Sequence, residues 1–242
     1  MDTSDTIGSI DTNTIVLVSF IAITINPSDY RSSVEFEIDG ICYKSNYGVD
    51  EVNIVKKAGG YSGSITIPDI VTYNGLPYRV VRVNNSAFSD CSELQKVDMS
   101  ASNIIEIKDY AFAGCTNLQS FTVSNSLTTI GYNAFKECSN LISISLPQSV
   151  TSIGMGAFSK CSGLTSVTIP QKISTIEQSL FSGCSSLQNI TIPDGVTNIG
   201  SYAFQSCKSL TKISIPNSVT NIGEYNQEIK GETNVEIIPV IA

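Results

Sequence analysis

From Ala87 onward, apolar side chains recur in a fixed order along the chain. Each unit opens on an apolar pair: Ala87-Phe88, Ala111-Phe112, Ala134-Phe135, Ala157-Phe158, Leu180-Phe181 and Ala203-Phe204. The pairs are spaced 24 residues apart once and 23 thereafter. Three residues after each Phe stands a Cys (Cys91, Cys115, Cys138, Cys161, Cys184, Cys207), and three residues later a Leu (Leu94, Leu118, Leu141, Leu164, Leu187, Leu210). Apolar and polar positions then alternate, as in the stretch with Leu164, Val167 and Ile169. Side chains of a strand point alternately to its two faces, so this alternation predicts a half-buried strand with those three residues inward.

A proline ends the strand in the later units, at Pro147, Pro170, Pro193 and Pro216. It has no N–H to give to a sheet ladder, so the chain is expected to leave the sheet there. A Val-Thr-x-Ile-Gly segment follows at Val150–Gly154, Val196–Gly200 and Val219–Gly223. It predicts a second short strand, with the glycine expected to supply a positive φ at its end. The Ala-Phe-x-x-Cys stretch is the compact return to the next strand, expected to be a short helix or 3-10 turn. One such unit orders too much backbone for the few apolar side chains it hides, whereas a stack shares burial and ladder bonds between neighbours. The fold expected is therefore a mostly β solenoid with a concave parallel sheet and a second short strand per rung.

The order Ala-Phe-x-x-Cys-x-x-Leu-x-x-Ile-x-Ile-Pro-x-x-Val-Thr-x-Ile-Gly resembles the repeat of BspA-like leucine-rich-repeat proteins, over Ser64 to Gly223. The segments Phe36–Tyr43, Gly60–Pro68 and Tyr73–Val80 are similar to the start these proteins often have, which implies a β-rich N-terminal cap. An open solenoid end would in any case expose core and strand edges. The division expected is 1–29 leader or uncertain N-terminal segment, 30–80 cap and incomplete first rung, 81–223 repeats, and 224–242 C-terminal cap or ragged end. Three departures stand out. The first full rung carries an extra residue between Met99 and Ile104, Ser100 and Ser124 stand where later rungs have Pro, and Ile176-Glu177 replaces Ile-Gly.

Composition narrows the function. Fourteen basic residues against 22 acidic ones give a net charge of −8, opposite to the basic footprint that nucleic-acid binding depends on. With no His in the chain, imidazole bases and His-ligated metals are excluded. The apolar run Ile15–Ile25 is shorter than the roughly 18 to 20 residues a membrane span needs. Its length suits a signal-peptide core, but Asp2, Asp5 and Asp11 precede it with no Lys or Arg. An N-terminal strand or a mis-set start stands ahead of a working signal.

The six repeat cysteines occupy one position per rung, so they point the same way along the stack and are read as a buried thiol ladder without disulfides, metal or cofactor. The six repeat Phe are read as core filling. Acidic residues Asp90, Glu93, Asp98, Glu106 and Asp109 match no calcium-loop spacing and are read as solvated surface. The outward positions of the main strand are Lys96 and Asp98, Ser120 and Thr122, Ser143 and Ser145, Ser166 and Thr168, Asn189 and Thr191, Lys212 and Ser214. This small, polar, nearly uncharged face is the expected binding surface. No catalytic residue is assigned. The resemblance implies a cell-surface or secreted protein that binds a protein or glycan, host extracellular matrix among them, in adhesion. The alternative is a structural spacer within a longer envelope protein.

Overall fold

The computed structural model describes residues 33–46, 48–226 and 236–239, and Ser33–Ala242 forms one compact unit. The apolar run Ile15–Ile25 and residues 227–235 lie outside the described residues. The chain winds as a solenoid of six Phe-bearing rungs. Each rung carries a main strand: β7 (Leu94–Met99), β9 (Ser120–Val123), β11 (Ser143–Ser145), β13 (Ser166–Thr168), β15 (Asn189–Thr191) and β17 (Lys212–Ile215). Each also carries a two-residue second strand: β8 (Glu106–Ile107), β10 (Thr129–Ile130), β12 (Ser152–Ile153), β14 (Thr175–Ile176), β16 (Asn198–Ile199) and β18 (Asn221–Ile222). All pairing between rungs is parallel, with Ser143 opposite Ser166 and Asn189 opposite Lys212. The prolines work as expected: the carbonyls of Pro147, Pro170, Pro193 and Pro216 each accept the N–H three residues on, closing the turn between the two strands.

Ahead of the rungs lie β1 (Glu35–Ile38), β2 (Ile41–Ser45), β3 (Glu51–Ile54), β4 (Gly63–Thr66), β5 (Ile70–Tyr73) and β6 (Leu76–Val83). The antiparallel β1-β2-β3 set joins the second ladder through β6, giving the order β1-β2-β3-β6-β8-β10-β12. The main ladder instead starts at β4, in the order β4-β7-β9. Beyond the last full rung, β19 (Glu236–Pro239) pairs in parallel with β17.

Through the aliphatic interior runs a column of aromatic rings. Phe88, Phe112, Phe135, Phe158, Phe181 and Phe204 are fully buried and stack face to face, with centroids 4.7 to 5.8 Å apart. Tyr61 begins the column against Phe88 at 4.4 Å, its hydroxyl donating to Val55 O and accepting from Cys42 N–H. Beside the rings runs the thiol ladder. Cys115, Cys138, Cys161, Cys184 and Cys207 each donate their thiol to the carbonyl of the Phe one rung earlier, at 3.0 to 3.2 Å. The cysteine therefore does more than fill space, since it ties neighbouring rungs together through a buried donor.

Two expectations about local structure are corrected. First, the return is not helical or 3-10 but a string of turns. Ala111, Ala113 and Cys115 donate to carbonyls three residues back, while the intervening Tyr110, Phe112 and Gly114 donate to Tyr132, Ala134 and Lys136 of the next rung. A helix would spend every N–H within the segment; here every second one is needed to hold the next rung. The alternation requires left-handed backbone two residues before and two after each Phe, as at Asn133 and Glu137 (φ 51° and 64°) or Gly156 and Lys160 (φ 64° and 59°). Second, the glycines that close the second strand serve close approach rather than positive φ. None of Gly131, Gly154, Gly200 and Gly223 is in the positive-φ region, and a Cβ on any of them would lie within about 2.6 Å of backbone in the preceding rung.

The extra residue of the first full rung is absorbed by a local turn. Asp98 accepts from Ser100 N–H and Oγ, while buried Ser102 bonds back to Met99 O with both its N–H and its hydroxyl. An Asp side chain that captures backbone two residues on replaces the rigid proline of later rungs.

Candidate binding face

The main strands position the twelve residues singled out from the sequence. Inward residues Val97, Phe121, Ile144, Ile190 and Ile213 are buried, which fixes their neighbours outward. Lys96, Ser120, Thr122, Ser143, Ser145, Ser166, Thr168, Asn189, Thr191 and Lys212 are exposed, and Asp98 and Ser214 are half-buried. Register brings them into two columns, Lys96–Ser120 beside Asp98–Thr122, Ser143–Ser166 beside Ser145–Thr168, and Asn189–Lys212 beside Thr191–Ser214. Charge is confined to the two ends of these columns.

At the first end, the Asp98 carboxylate accepts from Thr122 Oγ1 at 2.7 Å as well as from Ser100. These donors, Thr122 foremost, pull its pKa down to about 2, because bonds to the charged form favour it. Its charge is thus fixed, and all three of these bonds fall on Oδ1.

The face is not one unbroken sheet. Hydrogen-bonded pairing runs β4-β7-β9, β11-β13 and β15-β17-β19, with breaks between β9 and β11 and between β13 and β15. The second break is the more open. There the face opens into a cavity of about 260 Å³ lined by Ser166, Val167, Thr168, Asn189 and Thr191. Val167 is only half-buried, against the fully inward setting expected of it. Two departures in the repeat coincide with this opening. Leu180 stands where other rungs have Ala, and the Phe158–Phe181 spacing of 5.8 Å is the widest in the column. On the second ladder, β12 and β14 are unpaired where Glu177 replaces glycine. The N–H of Gly154 reaches Ile130 O at 2.8 Å and that of Gly200 reaches Ile176 O at 2.7 Å, but Glu177 makes no such bond among the described residues.

Sequence reasoning missed a second exposed set, on the corner between the second strand and the return. Tyr110 and Tyr132 meet edge to face at 5.1 Å, with Met155 exposed on the next rung. Tyr202 and Tyr225 stack at 4.5 Å. The signal was available, as large residues recurring two or three places before the Phe of successive rungs. The acidic residues of the first rungs do not converge: among the described residues no group of three or more Cys, Asp or Glu is placed to hold a metal. Nor is any helix of the described residues long and apolar enough to cross a membrane.

The family model described as the BspA type leucine rich repeat region matches residues 64–186 and 151–237, in six copies. The chain belongs to the BspA-type leucine-rich-repeat family. Among solved structures it is similar to a leucine-rich repeat protein from Bacteroides ovatus, at 27% identity and TM-score 0.60, over 84% of this chain and 57% of that one. This chain thus spans little more than half of that protein's length. It is also similar to the T. pallidum leucine rich repeat protein, at 28% identity and TM-score 0.65, over 78% of this chain and 86% of that one. No curated protein matches the chain. The matched residues span the rungs that carry the Phe column, the thiol ladder and the main strands.

Proposed function

We propose that the chain is a non-enzymatic protein- or glycan-binding module of a surface or secreted protein, acting in adhesion or host interaction through its main sheet face. The observation that carries this reading is the register of uncharged hydroxyl and amide side chains, Ser120 to Thr191, in two exposed columns across consecutive rungs. Such a surface offers repeated donors and acceptors at the inter-strand spacing of about 4.8 Å to an elongated ligand. It carries no fixed charge of its own between Asp98 and Lys212, so it suits a neutral ligand. The cavity between β13 and β15 adds depth to an otherwise flat surface. Membership of the BspA-type family supports a surface or secreted setting, the one in which BspA-like proteins are generally met. Host extracellular matrix is the partner to try first.

The test is capture from mixtures of extracellular-matrix protein and glycan by the full chain and by a Ser145→Arg/Thr168→Arg variant. Both residues are exposed, so thermal unfolding should move little. The reading expects a saturable partner that the variant loses. Equal capture by both proteins would move the site off this face, and no capture by either would favour the spacer reading.

A further inference from the structure

The two ends of the main ladder are treated differently. At one end β19 lies along β17, with Lys212 opposite Glu236 and Ser214 opposite Ile238. At the other, the cap strands continue the second ladder and leave β4 as the outermost strand of β4-β7-β9. Gly63 N–H donates to Glu93 O and Ile67 N–H to Asp98 O, each at 2.8 Å, both toward β7. Successive residues of a paired strand turn their backbone groups to opposite edges. The N–H and C=O of Ser64 and Thr66 therefore point away from β7, and among the described residues nothing takes them up. Between them Ile65, the register partner of fully buried Val97, is only half-buried. A cavity of about 430 Å³ lies along this edge, its far wall formed by Asp39, Gly40, Ile41, Lys57 and Tyr61.

We propose that the free edge of β4 is a docking site for an extended peptide segment of another polypeptide, which pairs with the backbone of Ser64 and Thr66 and covers Ile65. The groups left open are backbone donors and acceptors two residues apart, and another extended backbone repeats that pattern in register. The opposite end of this ladder already takes a strand in this way, at β17. The β4 edge lacks the usual deterrents to strand addition, since Ser64, Ile65 and Thr66 include no charge and no proline. A register shift between Gly63 and Ser64 sets the limit of regular pairing at one end, and Pro68 sets it at the other. The Lys57 ammonium on the far wall is held by Glu37 Oε1 at 2.8 Å and by Gly40 O at 3.0 Å. The one cation of the described lining is thus already paired, and the cleft selects for a peptide that places an apolar side chain over Ile65. This docking mode is independent of the main sheet face, because it uses the edge of the sheet rather than its outward side chains.

The experiment uses the full chain, a capped hexapeptide of alternating Thr and Val as probe, and the same peptide N-methylated at alternate amides. Hydrogen exchange at the Ser64 and Thr66 amides is followed by NMR, and affinity by titration. The two amides should exchange freely in the protein alone and slow by roughly tenfold or more with saturating peptide, while N-methylation weakens binding by a similar factor through lost backbone bonds. Thr66→Pro removes the outward N–H and spares the bonds to β7, so it should weaken binding with little change in thermal unfolding. Ser145→Arg/Thr168→Arg should bind the peptide normally, which separates this site from the face. Unchanged exchange at both amides overturns the proposal, as does equal affinity for the N-methylated peptide. Amides already protected in the free chain also overturn it, since the edge would then be occupied by the chain itself.

Discussion

The chemistry of single residues explains why Cys and Gly recur where they do. A fully buried thiol donates to the carbonyl of the preceding rung, and burial pushes the pKa of Cys138, Cys161 and Cys184 well above the ordinary thiol range near 9. A group that stays protonated in the folded state while the unfolded chain ionises favours folding fully below the unfolded pKa. That contribution is lost as pH rises above about 9, so alkaline conditions should destabilise the chain progressively. In the native protein at neutral pH, an alkylating reagent should modify Cys42 alone, the half-buried thiol outside the ladder. Mass spectrometry should count one adduct native and seven after denaturation; rapid native labelling of Cys138 or Cys161 would show that the ladder opens. The ladder itself was legible from spacing alone. Its hydrogen bonds were not, because spacing does not say which carbonyl lies opposite a thiol. The glycines were legible as a requirement but for the wrong cause: close approach between rungs is a property of the stack, and the sequence of a single rung carries no trace of it.

At the scale of elements, strands were readable because period-two alternation has few physical alternatives when one face is buried. The return was misread because the three-residue spacing of Phe, Cys and Leu imitates a tight helix, whereas it records a chain of turns locked to the next rung. The same logic exposes the end of the return column. In each inner rung the Phe N–H donates to the next rung's carbonyl, as Phe181 does to Ala203 O at 2.9 Å. Phe204 instead donates to the Asn226 side chain at 3.0 Å, and the Asn226 amide donates in turn to the carbonyls of Gly200, Gly223 and Glu224. Fully buried Asn226 thus takes the place of a missing seventh Ala-Phe pair. Asn226→Ala leaves a buried N–H unsatisfied and frees several carbonyls, and should destabilise the chain by about 2 to 4 kcal/mol. Asn226→Asp keeps the acceptor for Phe204 but sets a buried carboxylate oxygen against the carbonyls of Gly200, Gly223 and Glu224, so it should be no more stable than Asn226→Ala. Chemical denaturation of the two variants checks this, and equal stability of Asn226→Ala and wild type would remove Asn226 from this role. Nothing in the repeat pattern pointed to it, since the pattern had already stopped at Gly223.

For the whole molecule, stacking makes the outward residues a surface that no single rung possesses. The two columns were legible from alternation, and their exposure follows from the burial of the residues between them. Hidden from the sequence was the relief of that surface: the opening between β13 and β15 is a property of the assembled stack, at the rung where Leu180 stands in place of Ala. Family membership fixes the scaffold, and a shared scaffold alone leaves function to the residues displayed on it. The central claim is that ligand contacts the main sheet face, and its most direct test is methyl NMR of the full chain, with Thr and Met labelled, on titration with the partner retained in the capture experiment. The account predicts that the Thr122, Thr168 and Thr191 methyl signals shift while that of Met155 stays in place. Movement of Met155 with the three threonines unchanged would contradict it, placing the ligand on the tyrosine corner instead.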